Sequence, residues 1–334
     1  MTLARPFRAL PAATPQILTF ALVLFANWLV FPDFFDLRLQ DGRLFGSLID
    51  VLNRGAPVAI LAIGMTLVIA TKGVDLSVGA VMAIAGAVAA TLAADGHSLP
   101  VIVLAALAVG LACGLWNGIL VAVLDIQPII ATLILMVTGR GIAQLVTEGQ
   151  IVTFTHEGLI AVAGASLLGL PMPVVIAFAL AGLAAALVRF TALGLLIEAI
   201  GINRTAATYA GVDSRSVLIA AYAVSGLGAA VAGLIAASDI RGADANNAGL
   251  WLELDAILAV VVGGTSLFGG RFSILLSLVG AFVIQAMNTG ILLSGYPPEM
   301  NLIVKATVIV LILIVQSPAA SRMKTFLRPP ESRR

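Results

Sequence analysis

The chain has 334 residues, of which 60% are hydrophobic and only 10% charged, whereas soluble domains carry about 25% charged residues. This composition indicates a protein that crosses a membrane many times, and the net charge of +1 gives no sign of a nucleic-acid or strongly acidic partner. The single cysteine, Cys113, excludes an intrachain disulfide and most cysteine metal sites.

Ten apolar segments predict an all-α polytopic membrane protein, because a helix needs about 20 apolar residues to cross a bilayer. The eighth segment is too short to cross unaided, and the first lacks a cleavage pattern, so it is interpreted as a retained span. The predicted helices cover residues 16–31, 56–71, 79–95, 99–124, 129–147, 172–190, 216–238, 254–263, 272–294 and 301–317.

The distribution of Lys and Arg predicts that both termini are cytoplasmic, with a basic tail at 318–334. The connections at 95–98, 148–171 and 295–300 contain no Lys or Arg and are predicted to face outward. The exception is segment 32–55, where arginines mix with aspartates; we interpret it as an outward, partly interfacial segment.

Two glycine-rich interruptions, residues 72–79 and 263–270, lie between apolar segments in similar places of the two half-chains. In lipid, non-helical backbone is tolerated only where protein buries it or a cavity wets it. The pattern is typical of a transport path and predicts short broken helices in two inverted half-repeats, about 1–150 and about 170–320. Both halves would form one permease domain spanning residues 1–334.

The longest connection predicted to be cytoplasmic, residues 191–213, is expected to form a short helix that ends at Gly211. Small residues along it leave room for a partner to approach, and a motor protein could push on the spans through such a helix. The alternative is an inert helix lying at the membrane interface.

Three motifs resemble those of the ribose-type sugar ABC-importer permeases. They are Gly73-Val74-Asp75-Leu76-Ser77-Val78-Gly79, then Glu198-Ala199-Ile200-Gly201-Ile202-Asn203 with Ala206-Ala207 and Ala210-Gly211-Val212, and finally Gly263-Gly264-Thr265-Ser266-Leu267. The second motif is similar to the coupling helix of that family. The similarity runs from about Asp41 to about Gln316, and residues 239–255 look closest to the permeases of bacterial galactofuranose importers. Phe272 departs from the family, in which glycine is common at this position.

The resemblance implies a non-enzymatic permease subunit in the bacterial inner membrane. Its expected partners are ATP-binding subunits, which would hold ATP and Mg, a periplasmic sugar-binding protein and a second permease chain, identical or homologous. No Gly-x-x-x-x-Gly-Lys-Ser/Thr motif occurs in this chain, so ATP would act in another subunit. No catalytic residue, metal site or cofactor is expected here. The residues implied in ATPase coupling are Glu198, Gly201, Asn203, Arg204, Ala207 and Gly211.

Neutral polar groups inside the spans are candidates for the substrate path, because a sugar must be held by hydrogen bonds and yet released. Trp116 and Asn117 on one helix, and Gln285 and Asn288 on another, are predicted to face a shared central cavity near mid-membrane depth. The competing interpretation is that these side chains only form interhelical hydrogen bonds.

A polar run within residues 239–253 is predicted to lie outside the membrane or in an outward vestibule, where it would meet the binding protein or the arriving sugar. The candidates are Asp244, Asn246, Asn247 and Trp251.

Two other transport classes stay open. In an ion-coupled secondary transporter, Asp75 could carry a proton, although its position just before an apolar run also suits a helix cap. A branched-chain amino-acid ABC permease would need charge-complementing groups for a zwitterion, whereas the predicted path residues are neutral.

Overall fold

The computed structural model describes residues 14–40, 42–295, 297 and 299–307. This part of the chain is mostly helical, and residues 300–307 are helical as well. The helices are α1 (Thr14–Val30), α2 (Ser47–Ala70), α3 (Val78–Ala94), α4 (Leu99–Ala122), α5 (Pro128–Val146), α6 (Glu157–Gly164), α7 (Met172–Phe190), α8 (Leu193–Ile202), α9 (Arg204–Tyr209), α10 (Ser214–Ile240), α11 (Leu252–Val262) and α12 (Ile274–Leu293).

Short strands occur only in the connections of the described chain. β1 (Arg38–Gln40) pairs with β2 (Arg43–Phe45), and β4 (Ser166–Leu167) pairs with β5 (Leu170–Pro171), each as an antiparallel hairpin. β3 (Val152–Thr153) pairs instead with the distant β6 (Gly242–Ala243). The β3–β6 pair therefore ties the connection after α5 to the segment that follows α10.

The predicted all-α polytopic class is confirmed. Among the described residues, six helices (α2, α4, α5, α7, α10 and α12) are long and apolar enough to cross a membrane, and α1 and α3 are shorter apolar helices. The largest boundary error is at α2, which begins at Ser47 and not at residue 56. The predicted helix 301–317 is described only as far as residue 307, and the predicted basic tail lies outside the described residues.

Two long helices, α2 and α10, contact each other and form the centre of the bundle. The pair α3 and α4 packs on α10, whereas the pair α11 and α12 packs on α2. This exchange of partners is the packing expected if α2, α3 and α4 correspond to α10, α11 and α12. The inverted repeat stays a prediction, and this packing supports it.

Small residues allow the central helices to approach closely. Three glycines of α4, Gly110, Gly114 and Gly118, face α10, where an added Cβ would overlap the α10 backbone. Gly64 on α2 likewise lies against Ser225 on α10. Close approach through such residues supplies the van der Waals contact that associates helices in lipid.

Two helices, α3 and α11, begin inside the bundle. Asp75 Oδ2 accepts a hydrogen bond from Ser225 Oγ on α10 at 2.7 Å, and Gly86 lies against Gly233 on the same helix. Gly79, in the first turn of α3, lies between these two levels and contacts the backbone of Gly249. The segment 242–251 therefore folds back from the end of α10 toward the middle of the bundle, where α11 starts.

This placement modifies the prediction for residues 239–253. The β6 strand of this segment lies next to the end of α10, but Gly249 reaches the depth of the first turn of α3. Glu253, only 5% exposed, holds its carboxylate against Gly79. Because the N-terminus of a helix carries partial positive charge, the carboxylate stabilises the first turn of α3.

Candidate functional site

The connection between α7 and α10 forms two short helices and not the single helix that the sequence predicts. α8 ends at Ile202, and Asn203 has an extended backbone with φ −156° and ψ 100°. The Asn203 side-chain oxygen accepts from the Ala206 amide at 3.0 Å, so Asn203 is the N-cap of α9. Gly211, at φ +89°, follows the end of α9, where a left-handed residue terminates a helix without strain.

Gly201 contacts the end of α2 and the second glycine-rich interruption. The Gly270 amide donates to the Ala70 carbonyl at 2.9 Å, which joins the end of α2 to the second interruption. A Cβ on Gly201 would overlap that same Ala70 oxygen and would lie 2.5 Å from the Gly270 nitrogen. Lys72 adds a third link, because its Nζ donates to the Ile202 carbonyl at 2.9 Å. The end of α8 is therefore in backbone contact with the end of α2 and with the second interruption, and the Lys72 side chain links it to the first.

Arg204 attaches α9 to the connection between α4 and α5. Its Nη1 lies 3.1 Å from Asp125 Oδ1, and its Nη2 donates to the Ala122 carbonyl at 3.0 Å. We call the surface formed by residues 193–215 and 122–128 the α8–α9 face. Ala207 is buried there, whereas Ile202 and Tyr209 are 68% and 88% exposed. Apolar side chains with this exposure are available to a partner or to lipid headgroups.

A cavity of about 410 Å³ lies toward the other end of the bundle. It is enclosed by α2, α3, α10 and the segment 242–249, and Ala163 and Pro173 complete its wall. Five polar residues line it: Asn53, Arg54, Asp239, Asp244 and Asn247. Its volume lies within the range of about 300–1,000 Å³ that is typical of small-molecule sites.

Two of the four predicted vestibule residues line this cavity. Asp244 Oδ2 accepts from Asn247 Nδ2 at 2.7 Å, and Asp244 Oδ1 accepts from the Asn246 amide at 3.0 Å. Asn246 itself accepts from Gln144 Nε2 at 2.7 Å. Trp251 is 47% exposed at the start of α11. Contact of any of these four with a binding protein or a sugar stays a prediction.

Arg140 holds the same segment from α5. Its Nη1 donates to the Ala245 carbonyl at 3.2 Å and also to the Ala248 carbonyl. These backbone carbonyls satisfy an arginine that would otherwise be costly inside a span. Arg140 therefore holds residues 245–248 in place. The sequence does not reveal these partners, because they are backbone carbonyls more than 100 residues away.

The four predicted path residues do not converge in one chain. Trp116 is 54% exposed, whereas the neighbouring Asn117 is fully buried and donates to Ser77 Oγ at 2.8 Å. Gln285 packs against Gly55 of α2 and reaches Thr289 Oγ1 at 3.4 Å, and Asn288 is half-buried. The helix α4 packs on α3 and α10, whereas α12 packs on α2 and α11. Within one chain, therefore, these four side chains do not line a common cavity. Substrate contact by these residues stays a prediction.

Asn117 belongs to a buried polar cluster around Asp75. Asp75 Oδ1 accepts from the Ser77 amide at 3.0 Å and from Ser77 Oγ at 2.6 Å, while Oδ2 accepts from Ser225. Three donors therefore satisfy a carboxylate that is 2% exposed. The cluster connects the first interruption to α4 and α10. Asp75 also accepts from the amide of Ser77, the residue that precedes α3, so its role here is structural.

Two carboxylates outside the spans have pKa values below their ordinary range. The Asn247 side chain, by donating to Asp244, is the main cause of the lowered pKa of that carboxyl. The pKa of Asp213 is lowered first by the Ser216 hydroxyl, which it binds at the start of α10. Both groups are therefore ionised at neutral pH, and their hydrogen bonds are lost only when the pH falls through these lowered pKa values.

Comparison with known proteins fits this architecture. The profile of a family described as "branched-chain amino acid transport system / permease component" matches residues 47–313. The chain belongs to this permease family. It is thus a multi-pass membrane protein and a transporter permease subunit. No solved structure matches the chain.

Among its relatives, the chain is 64% identical to the galactofuranose transporter permease protein YtfT of Escherichia coli, over 92% of this chain and 90% of that protein. It is 42% identical to the fructose import permease protein FruF of Bifidobacterium longum, over 91% and 87% of the two chains. It is 40% identical to the ribose import permease protein RbsC of Escherichia coli, over 81% and 85%. The expected similarity to ribose-type and galactofuranose permeases is confirmed.

Sequence reasoning missed three of the cavity residues. Asn53 and Arg54 fell in the segment assigned to the interface, because the predicted α2 began at residue 56. Pro57 suits the first turn of a helix and so agrees with that start, yet α2 accommodates it inside the helix. Asp239 lies in the last turn of α10, beyond the predicted end at residue 238.

Proposed function

We propose that this chain is the transmembrane permease subunit of an ATP-driven bacterial sugar importer that carries a galactofuranose-like monosaccharide. The observation that carries the proposal is the 64% identity to a galactofuranose transporter permease over 92% of the chain. The chain is also 42% and 40% identical to permeases of fructose and ribose import, which supports a monosaccharide as the substrate class.

The α8–α9 face supports coupling to a separate ATPase. Gly201 and Lys72 connect α8 to both broken segments, and Arg204 connects α9 to the end of α4. A partner that pushed on the exposed Ile202 and Tyr209 would therefore act through direct contacts on the ends of α2 and α4 and on both broken segments. In this proposal Glu198, Asn203 and Gly211 complete the docking surface, the buried Ala207 packs beneath it, and the partner supplies ATP and Mg.

Docking of an ATPase on the α8–α9 face would fix the orientation of the chain in the membrane. The α8–α9 face would be cytoplasmic and the 410 Å³ cavity would open toward the periplasm, where a sugar-binding protein delivers substrate. Both termini would be cytoplasmic in the inner membrane. A second permease chain, identical or homologous, would complete the path and could bring Trp116, Gln285 and Asn288 to a shared surface.

The test is co-expression with the products of the neighbouring genes, followed by purification through a tag on this chain. We expect an ATP-binding subunit to co-purify and its ATP hydrolysis in lipid to rise when sugar-loaded binding protein is added. Co-purification without sugar stimulation, combined with stimulation by leucine, would favour amino-acid transport, which the description of the family profile names.

A further inference from the structure

The cavity near residues 242–249 has a floor and a rim of different chemistry. Small and apolar side chains form the floor, on the facing surfaces of α3 and α10, and polar side chains surround it. The floor residues are Met82, Ala83, Gly86, Gly233, Ala236 and Ala237. Close contact between α3 and α10 at Gly86 and Gly233 leaves no room for larger side chains there, so the floor is flat.

The rim contains hydrogen-bonding groups that the protein itself leaves without partners. Asn53 Oδ1 is buried and has no hydrogen-bond partner within the described residues. Arg54 and Asp239 are exposed at the cavity and form no ion pair in that part of the chain. A buried acceptor without a partner costs about 1–3 kcal/mol. Asn53 therefore gains from a bound donor, while the exposed Arg54 and Asp239 present charged hydrogen-bonding groups to a ligand in the cavity.

The proline inside α2 leaves a backbone carbonyl at the cavity without its helical donor. Pro57 lines the cavity and has no amide hydrogen, so the Asn53 carbonyl, four residues before it in α2, loses its usual helical donor. Asn53 thus brings two acceptors to a cavity that the Arg54 guanidinium, which only donates, also lines.

The rim excludes several ligand classes. Arg54 contributes one positive charge, whereas Asp239 and Asp244 contribute two negative charges, so an anion is disfavoured. An apolar ligand would leave the rim without partners, and no cluster of metal-ligating residues occurs in the described chain. A neutral polyol donates and accepts through every hydroxyl and can lay its C–H surface on a flat apolar floor.

From these contacts we propose that the cavity is a monosaccharide-binding site within one permease chain. Arg54 donates to sugar hydroxyl oxygens, Asp239 accepts from sugar hydroxyl groups, and Asn53 offers the unpaired acceptors between them. Asp244 and Asn247, already held by their mutual hydrogen bond, border the ligand on the side of α11. This inference rests on the proposed function, because it assigns the sugar that the importer carries.

Thiol protection tests occupancy directly. In the complete transporter with Cys113→Ser, a cysteine at Ala236 is labelled with a small thiol reagent in the presence and absence of the transported monosaccharide, its stereoisomers and leucine. We expect the transported sugar to slow labelling several-fold and leucine to have no effect. Asn247→Cys provides a second position if Ala236→Cys does not insert.

Uptake by rim variants provides the second measurement. We expect Arg54→Gln and Asp239→Asn each to raise the half-saturating sugar concentration about tenfold, the loss that one hydrogen bond to a charged group produces. Arg38→Gln and Asp95→Asn, exposed charges that do not line the cavity, should leave uptake unchanged.

The outcomes separate the two proposals. Normal sugar uptake with no protection by any sugar and no effect of Arg54→Gln or Asp239→Asn would overturn the cavity site and leave the importer proposal standing. Protection by leucine alone would overturn the monosaccharide assignment. Absence of uptake of every sugar by the unmodified transporter would overturn the proposed function itself.

Discussion

A single methyl group at Gly201 should uncouple the α8–α9 face from the spans. In Gly201→Ala, the Cβ overlaps the Ala70 oxygen and presses on the Gly270 nitrogen, two atoms that are hydrogen-bonded at 2.9 Å. Both neighbours are backbone, so neither can rotate away. Overpacking typically costs about 1–3 kcal/mol. Loss of the hydrogen bond adds about 0.5–1.5 kcal/mol, and the better helix propensity of alanine returns about 1 kcal/mol.

The net expectation is a destabilisation of about 1–3 kcal/mol, confined to the junction of α8 with the two interruptions. Sugar uptake and sugar-stimulated ATP hydrolysis should fall several-fold, while membrane insertion is retained. The matched control is Gly182→Ala on α7, where an added Cβ meets nothing within 4 Å. Wild-type uptake, ATP hydrolysis and thermal unfolding in Gly201→Ala, at equal membrane abundance, would refute this reasoning.

Three further substitutions test individual contacts. Lys305→Met removes the counter-charge of Asp255, because Lys305 Nζ lies 2.7 Å from Asp255 Oδ1. We expect the free energy of unfolding to fall by about 3–5 kcal/mol, measured by thermal unfolding in detergent. Unchanged unfolding would show that water screens the pair. Asp75→Asn replaces an acceptor of three hydrogen bonds by a group that also donates, and it should lower the same unfolding midpoint more than Asp95→Asn. Arg140→Met frees two carbonyls, so amide exchange across 244–249 should accelerate; equal exchange would remove the anchoring role.

Helix positions were predictable because long apolar segments dominate this sequence. The predicted start of α7 at residue 172 and the end of α3 near residue 95 agree closely with the structure. The start of α2 was not predictable from hydropathy, because its first turns carry the polar residues Asp50, Asn53 and Arg54, two of which line the cavity. Polar residues at a helix end were therefore mistaken for a connection.

The candidate sites were predictable only in part. The α8–α9 segment is identifiable from its small residues and its family-like motif, but the break at Asn203 depends on a side-chain cap that competes with continuation of the helix. Asn117 and Gln285 were grouped because both are polar and lie near glycines. The partner of Asn117, Ser77, depends on tertiary packing that sequence spacing does not encode. The partner of Gln285, Thr289, lies four residues later on the same helix and was available from the spacing.

Transport into sealed vesicles tests the central claim most directly. The purified complex is reconstituted in liposomes with ATP and Mg enclosed on the ATPase side, sugar-loaded binding protein is added on the other side, and ionophores abolish proton and sodium gradients. The account predicts sugar uptake that requires ATP and is unaffected by the ionophores. Uptake driven by an ion gradient without ATP would contradict it.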